Sequence, residues 1–374
     1  IIVRVLFPFV GDSVGGSHRS ILELHYALKE KNITSIFVLH EIGPLSELFD
    51  SLNVEYKYIY TRYLAGESPS LLKIAFSIAA NFIKLSRFIR KNRIDIVHGN
   101  DLRVNLTWSL PTKFSNSVYL WHQRSLMSPS VLWNASAVLA DYFITISKYV
   151  DQSLPGNISR IKRTLILNPF NTKDTYDRIT SRKWLNMCYK IPEDVILLGY
   201  IGRLVEWKNV DFLIKCFSKY TDESDLHLHL IIVGTGKNKY IEILKELACK
   251  ASVRNTITFA GFNSEPNKVI SAFDLMIAPS NQEPFGRTLV EAMIQKTPIL
   301  AAKGGGHSEI INHGVTGRLY NHYDMKDFTD QCNICLGTDN LEIVNQANFV
   351  ASSRYSSCQH VESIMHVYKK LLAI

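Results

Sequence analysis

Residues 275–301, LMIAPSNQEPFGRTLVEAMIQKTPILA, decide the fold. The apolar run 275–278 reads as a buried strand. A polar turn with two prolines follows, then an amphipathic stretch at 285–295 and a second apolar strand at 298–301. Strand, helix and strand in so short a span form a crossover between parallel strands. The same rhythm extends toward the N-terminus, with strands at 195–201, 226–233 and 257–260 and helices at 210–220 and 240–250. The first half repeats it, with strands at 2–7, 35–39, 94–98, 117–121 and 142–146 and helices at 20–31 and 71–91. Apolar, β-branched strands alternating with amphipathic helices predict an α/β protein with parallel sheets covered on both faces. Between the halves, the polar stretch 168–190 begins NPFNTKDTYD and leads into a short helix at 178–188, which places a domain boundary near Phe170. The tail 355–374 reads as an amphipathic helix added after the second sheet is complete. Two doubly wound domains bind ligands at the carboxyl ends of their strands.

The size and composition agree. A chain of 374 residues, 46% hydrophobic and 20% charged, has apolar mass for two cores and is neither disordered nor collagen-like. Its most apolar long stretch, 71–85, carries Lys73 and Lys84 and falls short of the roughly 18 to 20 residues that a membrane span needs. The opening IIVRVLFPF starts without Met, which reads as trimming, and it has the character of a buried strand; without a basic segment or cleavage site, no signal peptide is expected. Six cysteines make no disulfide framework. The one CxxC, Cys332 and Cys335, supplies too few ligands for zinc and is expected one turn apart on a helix, in a reducing, cytoplasmic setting.

The net charge of +8 is uneven. Residues 1–165 hold 19 Lys and Arg against 12 Asp and Glu, whereas residues 166–374 hold 23 against 22. The basic half points to an anionic partner, such as lipid headgroups or a phosphorylated acceptor. No finger, RRM or basic-zipper signature accompanies the charge, so nucleic acid is not expected.

The residues that carry chemistry lie at predicted strand ends. Glu283 and Glu291 are separated by seven residues, with Gly286 between them where the chain enters a helix. A helix start offers unpaired N–H groups and a positive dipole to an anion, and Gly286 lets a ligand approach the backbone. Glu283, on the loop, can accept hydrogen bonds from sugar hydroxyls. Glu291, about two turns inside, can reach a ribose diol. Arg203 and Lys208 follow a buried strand, where a guanidinium fork and an ammonium can neutralise a diphosphate. Gly234 suits a tight turn and close ligand approach, and Phe262 can border a base. On residue type alone, each of these also fits an ordinary turn, a surface charge or core packing.

EPFGRTLVEAM resembles the E-x7-E signature of the large retaining GT-B glycosyltransferase family. GYIGRLVEWKNVDFLI, LIIVGTGK, ITFAGF and PILAAKGGGHSEIINHGVTGRLY resemble further segments of that family, in its order. The resemblance implies two Rossmann-like domains facing an interdomain cleft. The first would comprise 1–170 plus the returning helix 355–374, and the donor domain 171–354. It also implies donor contacts from Gly15 and Gly16, which follow the first strand, and from Phe285 and Leu289. His122 of WHQR takes the place of an active-site His that contacts the donor sugar. Glu283, Arg203 and Lys208 complete the catalytic set. Ser17, His18, Asn100, Asp101 and Arg124 fall on the acceptor side. The chain has Asn168-Pro169 where the family often has Asn-Gly, a difference that alters the hinge turn.

The expected function is retaining transfer of a sugar from a nucleotide-diphosphate sugar, UDP-linked before GDP-mannose, to a glycan or lipid-linked glycan. Bacterial surface polysaccharide (lipopolysaccharide or capsule) assembly at the inner face of the cytoplasmic membrane is the expected setting. No cofactor is expected beyond the donor substrate. No metal is expected either, since the chain has no Asp-x-Asp motif and its cations can take the place of Mg²⁺. The alternatives are a nucleotide-sugar epimerase of the same fold and a non-catalytic nucleotide-sugar-binding protein. A Rossmann dehydrogenase would need G-x-G-x-x-G after its first strand, which GDSVGGSHRS lacks. The stretch 71–93 has two readings, a helix covering the sheet with cations at its C-terminus, or an interfacial helix gripping anionic lipid.

Overall fold

A computed structural model describes residues 3–61, 64, 71–127, 131–251, 256–337 and 340–373. Residue 2 of the first expected strand and residue 374 of the expected tail helix lie outside these. The chain divides into two units, Ile1–Pro169 with Ser357–Ile374, and Phe170–Ser356. Phe170, placed from the sequence at the end of the first domain, is thus the first residue of the second. Its N–H donates to the Tyr355 carbonyl at 2.9 Å, and it bridges to Ser356, so the outgoing and returning chains run side by side.

The first unit has seven strands among the described residues: β1 Val3–Phe9, β2 Ile33–Leu39, β3 Tyr56–Tyr58, β4 Ile96–Gly99, β5 Val118–Gln123, β6 Tyr142–Thr145 and β7 Arg163–Leu165. They form one sheet in the order β3-β2-β1-β4-β5-β6-β7, with every pair parallel. The chain starts in the middle at β1, builds outward to β3, then returns to the other side of β1 as β4. The second unit repeats this plan with β8 Ile196–Ile201, β9 Leu228–Val233, β10 Ile257–Gly261, β11 Leu275–Ala278, β12 Ile299–Ala302 and β13 Arg318–Tyr320. Their order is β10-β9-β8-β11-β12-β13, again all parallel. Each sheet therefore has one point where the direction of winding reverses, between β1 and β4 and between β8 and β11. In open parallel sheets the loops leaving the strands diverge at such points, and ligands bind there.

Both faces of the central strands are buried, which is why β9 reads LHLIIV without a polar side. The helix Ser357–Leu372 packs Val361, Ile364, Val367 and Tyr368 into the first unit's core beside β1. Burying three such aliphatic side chains contributes about 1.5–3 kcal/mol each, enough to hold the returning segment on that sheet. Cys332 and Cys335 lie buried on the helix Met325–Gly337, as free thiols. No helix among the described residues is long and apolar enough to cross a membrane.

The helix Leu71–Lys91 covers the first sheet with one face, burying Leu85 and Ile89. Ser86 and Ser115 tie it to the helix Leu102–Lys113, through the Pro111 carbonyl at 3.4 Å and the Ser86 carbonyl at 3.5 Å. The helix Leu102–Lys113, like the helix Pro44–Ser51 and the three-residue strands β3, β7 and β13, was not expected from the sequence.

Candidate functional site

The expected site residues of the second unit converge on its reversal point. The loop after β8 carries Arg203 and Lys208, and the loop after β11 carries Glu283. Three strand ends are stitched together by backbone hydrogen bonds. The Gly202 N–H donates to Val233 O at 3.0 Å, Leu204 to Thr235 O at 2.8 Å, and Gly234 to Gly261 O at 2.7 Å. A Cβ on Gly234 would lie 1.8 Å from the Gly202 carbonyl oxygen, and one on Gly236 1.9 Å from that of Leu204. Gly234, expected to admit a ligand, thus admits the neighbouring loop of its own chain.

On this base the buried Tyr200 hydroxyl donates to the Arg203 carbonyl at 2.9 Å and fixes the backbone there, while the Arg203 side chain is exposed. Lys208 ends the short turn Glu206–Lys208, closed by Asn209 in the left-handed region at φ 55°. Its ammonium pairs with the Glu283 carboxylate and lies 4.5 Å from the centre of the Trp207 ring. The two side chains are mostly buried, at 18% and 16% exposure.

The loop carrying Glu283 is set by contacts with glycine backbone. The Gly306 N–H donates to the Glu283 carbonyl at 2.8 Å. A Cβ on Gly304, Gly305 or Gly306 would come within 2.5, 2.7 or 2.2 Å of the carbonyl oxygens of Asn281, Glu283 or Phe285. Only a run without side chains lets the two loops lie this close. The helix then runs Arg287–Ile294, starting after Gly286 at φ 106°. It starts later than the sequence suggested, so Glu291 sits little more than one turn inside, not two. Its carboxylate lies 3.7 Å from Arg287 Nε.

Two of the expected donor residues turn their side chains inward. The Phe285 ring is buried between Phe170 and Tyr355, at centroid distances of 6.2 and 5.9 Å, and Leu289 is wholly buried. Both side chains build the helix's footing and face the core. Phe262 does the reverse: it stands beyond the end of β10 with 73% of its surface exposed.

One residue of the site was missed. His307 is buried directly behind Gly286, where a Cβ would meet its Cδ2 at 3.0 Å. Its Nδ1 donates to the Ala302 carbonyl at 3.2 Å, which leaves Nε2 as an acceptor. Burial pushes its pKa down to about 4, against the pull of the Glu283 carboxylate and with the push of Lys208. It is therefore neutral at physiological pH. The signal was its place directly after the three glycines.

In the first unit the polar residues also collect at strand ends near the reversal point. Gly15 precedes the helix Gly16–Lys29, and its N–H donates to His18 Nδ1 at 2.9 Å, so the His18 proton sits on Nε2. Burial lowers the His18 pKa to about 4. Ser17 is half-buried beside it. Asp101 caps the helix Leu102–Lys113 by accepting from the Arg103 N–H at 2.8 Å. The Arg103 guanidinium grips Asp12 with two bonds of 2.7 and 3.1 Å, holding that carboxyl below its usual range. Asp12 and Arg103, 91 positions apart, gave no signal in the sequence.

His122 lies inside β5, one residue before its end and not just beyond it, with 1% exposure. Arg124, which can only donate, points Nη2 at His122 Nδ1 at 3.3 Å. The same Nδ1 must then accept from His98 Nε2 at 3.1 Å, and His98 Nδ1 from the Tyr368 hydroxyl at 2.7 Å. This leaves the His122 proton on Nε2, a buried donor without a partner among the described residues. Arg124 also donates to Asn100 Oδ1 at 2.9 Å and to Asn168 Oδ1 at 2.7 Å. Asn100 is buried and gives its amide to the His98 carbonyl at 3.1 Å. His122, Asn100 and Arg124 thus form one interior network, with Arg124 at its partly exposed end.

The buried histidines predict acid lability of this unit. Burial first, and the Arg124 cation second, push His98 and His122 well below the ordinary 6.5, and burial takes His40 down to about 4. In the unfolded chain all three take up protons near 6.5. Their stabilisation is complete above that pH and is lost as pH falls through it. Between about pH 7.5 and 5.5 the three together should remove about 4 kcal/mol. Urea melts of the whole chain at the two pH values read this directly; an unchanged first-unit midpoint would refute it.

Residues 188–342 match the sequence profile of a family described as glycosyl transferases group 1. The second unit belongs to that family. Among curated relatives, a glycosyltransferase of Methanocaldococcus jannaschii, MJ1607, is 29% identical over 180 residues, covering 46% of this chain and 45% of its own. The chain spans less than half the length of the first curated relatives it matches. Among solved structures, Anabaena HepE, crystallised with UDP and glucose, superposes with a TM-score of 0.84 at 20% identity over 98% of this chain and all of its own. Sucrose-phosphate synthase from Thermosynechococcus elongatus does so at 0.81 and 19%, over 99% of both. At such identities the likeness establishes the fold, and both units of the chain have the GT-B architecture expected from the sequence.

Proposed function

We propose that the chain is a retaining, metal-independent glycosyltransferase that uses a nucleotide-diphosphate sugar, with UDP as the favoured nucleotide. The observation that carries the proposal is the convergence of Arg203, Lys208, Glu283, Glu291 and the Gly286 helix start at one sheet-reversal point of a group 1 domain. On this reading the donor diphosphate meets Arg203, Lys208 and the helix N–H groups, which offset the charge that develops on the leaving phosphate. Lys208 then exchanges its carboxylate partner for phosphate oxygen. Glu283, released from that pair, accepts hydrogen bonds from the sugar hydroxyls, and Glu291 from the ribose diol. Phe262 offers an exposed ring to the base. His307, neutral, supports the Gly286 turn from behind. Gly15, Gly16, Ser17 and His18 are assigned to the sugar and the acceptor, and His122 and Arg124 to positioning at the same end of the first sheet.

Attack on the same face from which the phosphate departs retains the anomeric configuration and needs no protein nucleophile. What the protein supplies is orientation and charge stabilisation. Two cations and a helix start perform that stabilisation without a divalent ion. UDP is preferred to GDP because HepE, with the same architecture, was solved with UDP and glucose. The basic first half supports a lipid-linked or phosphorylated glycan acceptor at the cytoplasmic face of a bacterial membrane, in surface polysaccharide assembly.

The test is thermal-shift binding of UDP, GDP, ADP and CMP, each with and without Mg²⁺. At a hundred times the dissociation constant, a ligand should raise stability by about 2.7 kcal/mol. UDP should shift the wild type equally in both conditions and should not shift the Arg203→Ala, Lys208→Ala double variant. A shift that requires Mg²⁺ would overturn metal independence, and no response to any nucleotide would overturn the donor reading.

A further inference from the structure

The outer face of the helix Leu71–Lys91 departs from what a covering helix needs. A helix that covers a sheet normally buries one face and turns polar residues to water. Here the exposed face is apolar as well. Leu72, Phe76, Ala79 and Ile83 follow the helical spacing of four, three and four, and stand outward with Leu72 84%, Phe76 68% and Ile83 59% exposed. Exposed Ala75 and Ala80 lie beside them. One turn further, Arg87 and Arg90 continue the same stripe, and Lys73, Lys84 and Lys91 border it.

Residues 71–93 contain six Lys and Arg and no Asp or Glu, and none of the six makes an ion pair among the described residues. Two are held in place by backbone oxygens. Lys84 donates to the Tyr60 carbonyl at 2.9 Å, and Arg90 donates to that of Phe114. These contacts set two more exposed aromatic side chains, Tyr60 and Phe114, beside the helix. The Phe114 ring also packs edge-on to Phe82 at 5.5 Å.

We infer that this face docks the chain on an anionic lipid bilayer, with Leu72, Phe76 and Ile83 entering the acyl boundary and the cations resting on headgroup phosphates. The inference deepens, and rests on, the membrane-side reading of the acceptor given above. Charge decides the occupant. A second copy bound through the same patch would bring Arg87 and Arg90 against like charges, whereas an acidic lipid surface satisfies the apolar stripe and the cations together. The two sequence readings of this segment therefore describe opposite faces of one helix.

Flotation of the whole chain with phosphatidylcholine vesicles, with and without phosphatidylglycerol, tests this. The wild type should float with the anionic vesicles only and should release as salt rises. Leu72→Ser, Phe76→Ser and Ile83→Ser together should abolish flotation. Lys73→Glu, Arg87→Glu and Lys91→Glu together should weaken it by at least about a hundredfold, since each cation near the surface contributes about fivefold. A wild type that does not float overturns the inference. So does a serine variant that floats like the wild type, because adsorption would then be by charge alone. Self-association of the wild type that the serine variant loses assigns the face to a second copy and overturns it too. UDP thermal shifts run on the same samples separate the two readings. An unshifted wild type sinks the donor assignment whether or not it floats, and a shifted one that stays in the pellet sinks only the docking surface.

Discussion

Glu283→Ala should bind UDP with near wild-type affinity and transfer sugar about 10²–10³-fold more slowly, the scale on which a positioned transition-state contact is felt. The separation is expected because the Glu283 backbone is held independently of its side chain, by the Gly306 N–H and by the packing of the glycine run. Truncation should therefore leave the loop and the helix start in place. What it removes is the partner of Lys208. The ammonium keeps its place over Trp207 and is freed toward the diphosphate, so nucleotide binding should hold or tighten slightly. Stability should fall by about 2 kcal/mol, between the values for exposed and for fully buried pairs. Glu283→Gln keeps an acceptor oxygen and should recover part of the rate. Equal loss of binding and turnover would place Glu283 at the nucleotide and not at the sugar. Unchanged turnover would remove it from the mechanism. The two alternative functions also separate here. An epimerase would convert its nucleotide sugar with no acceptor present, and a binding protein would show no turnover in the wild type.

The sequence was most legible where burial is two-sided. β1, β8 and β9 are almost entirely apolar, interrupted only by Arg4 and His229, because sheet neighbours and helices cover both faces, and the 3.6-residue period of the helices between them has no competing reading. β3, β7 and β13 escaped notice because three residues on or near a sheet edge show no period at all. The helix Leu102–Lys113 escaped for a different reason: it is buried nearly all round, so it lacks a polar stripe, and it contains Pro111. Within the site, Arg203, Lys208 and Glu283 were legible as charges placed at the ends of buried strands. For Phe285 and Leu289 the inward direction of the side chain was not legible, because a motif gives order along the chain, not direction. An apolar side chain bracketing a helix start has a core to enter, and both entered it. His122 was misplaced by a similar step, since a strand that ends two residues later turns a rim histidine into an interior one. The Asp12–Arg103 pair lay beyond any local reading, because only the return of β4 beside β1 brings the two loops together.

Alanine at three glycines should divide the demands of the fold from those of the ligand. Gly234→Ala should be the most damaging, costing the second unit about 3–5 kcal/mol. Its φ of 144° strains any side-chain-bearing residue, and the new Cβ would stand 1.8 Å from the Gly202 carbonyl oxygen, backbone that is itself tied to Val233 and cannot swing aside. Gly261 has a φ of 69° and nothing within 4 Å, so Gly261→Ala should cost only about 1 kcal/mol, the local backbone term by itself. Gly15 sits at φ −147°, extended backbone open to any residue, and a Cβ there would meet nothing nearer than His18 Nδ1 at 3.9 Å. The fold does not require glycine at that position. Gly15→Ala should melt like the wild type, and if the donor or acceptor approaches this backbone as proposed, it should raise KM or lower kcat by tenfold or more, about 1.4 kcal/mol of lost transition-state binding. Urea midpoints and steady-state kinetics on the three variants read both effects. A Gly234→Ala protein as stable as the wild type would refute the packing argument for the strand-end loops. A Gly15→Ala protein with unchanged kinetics would remove that loop from the binding site while leaving the second-unit cluster untouched.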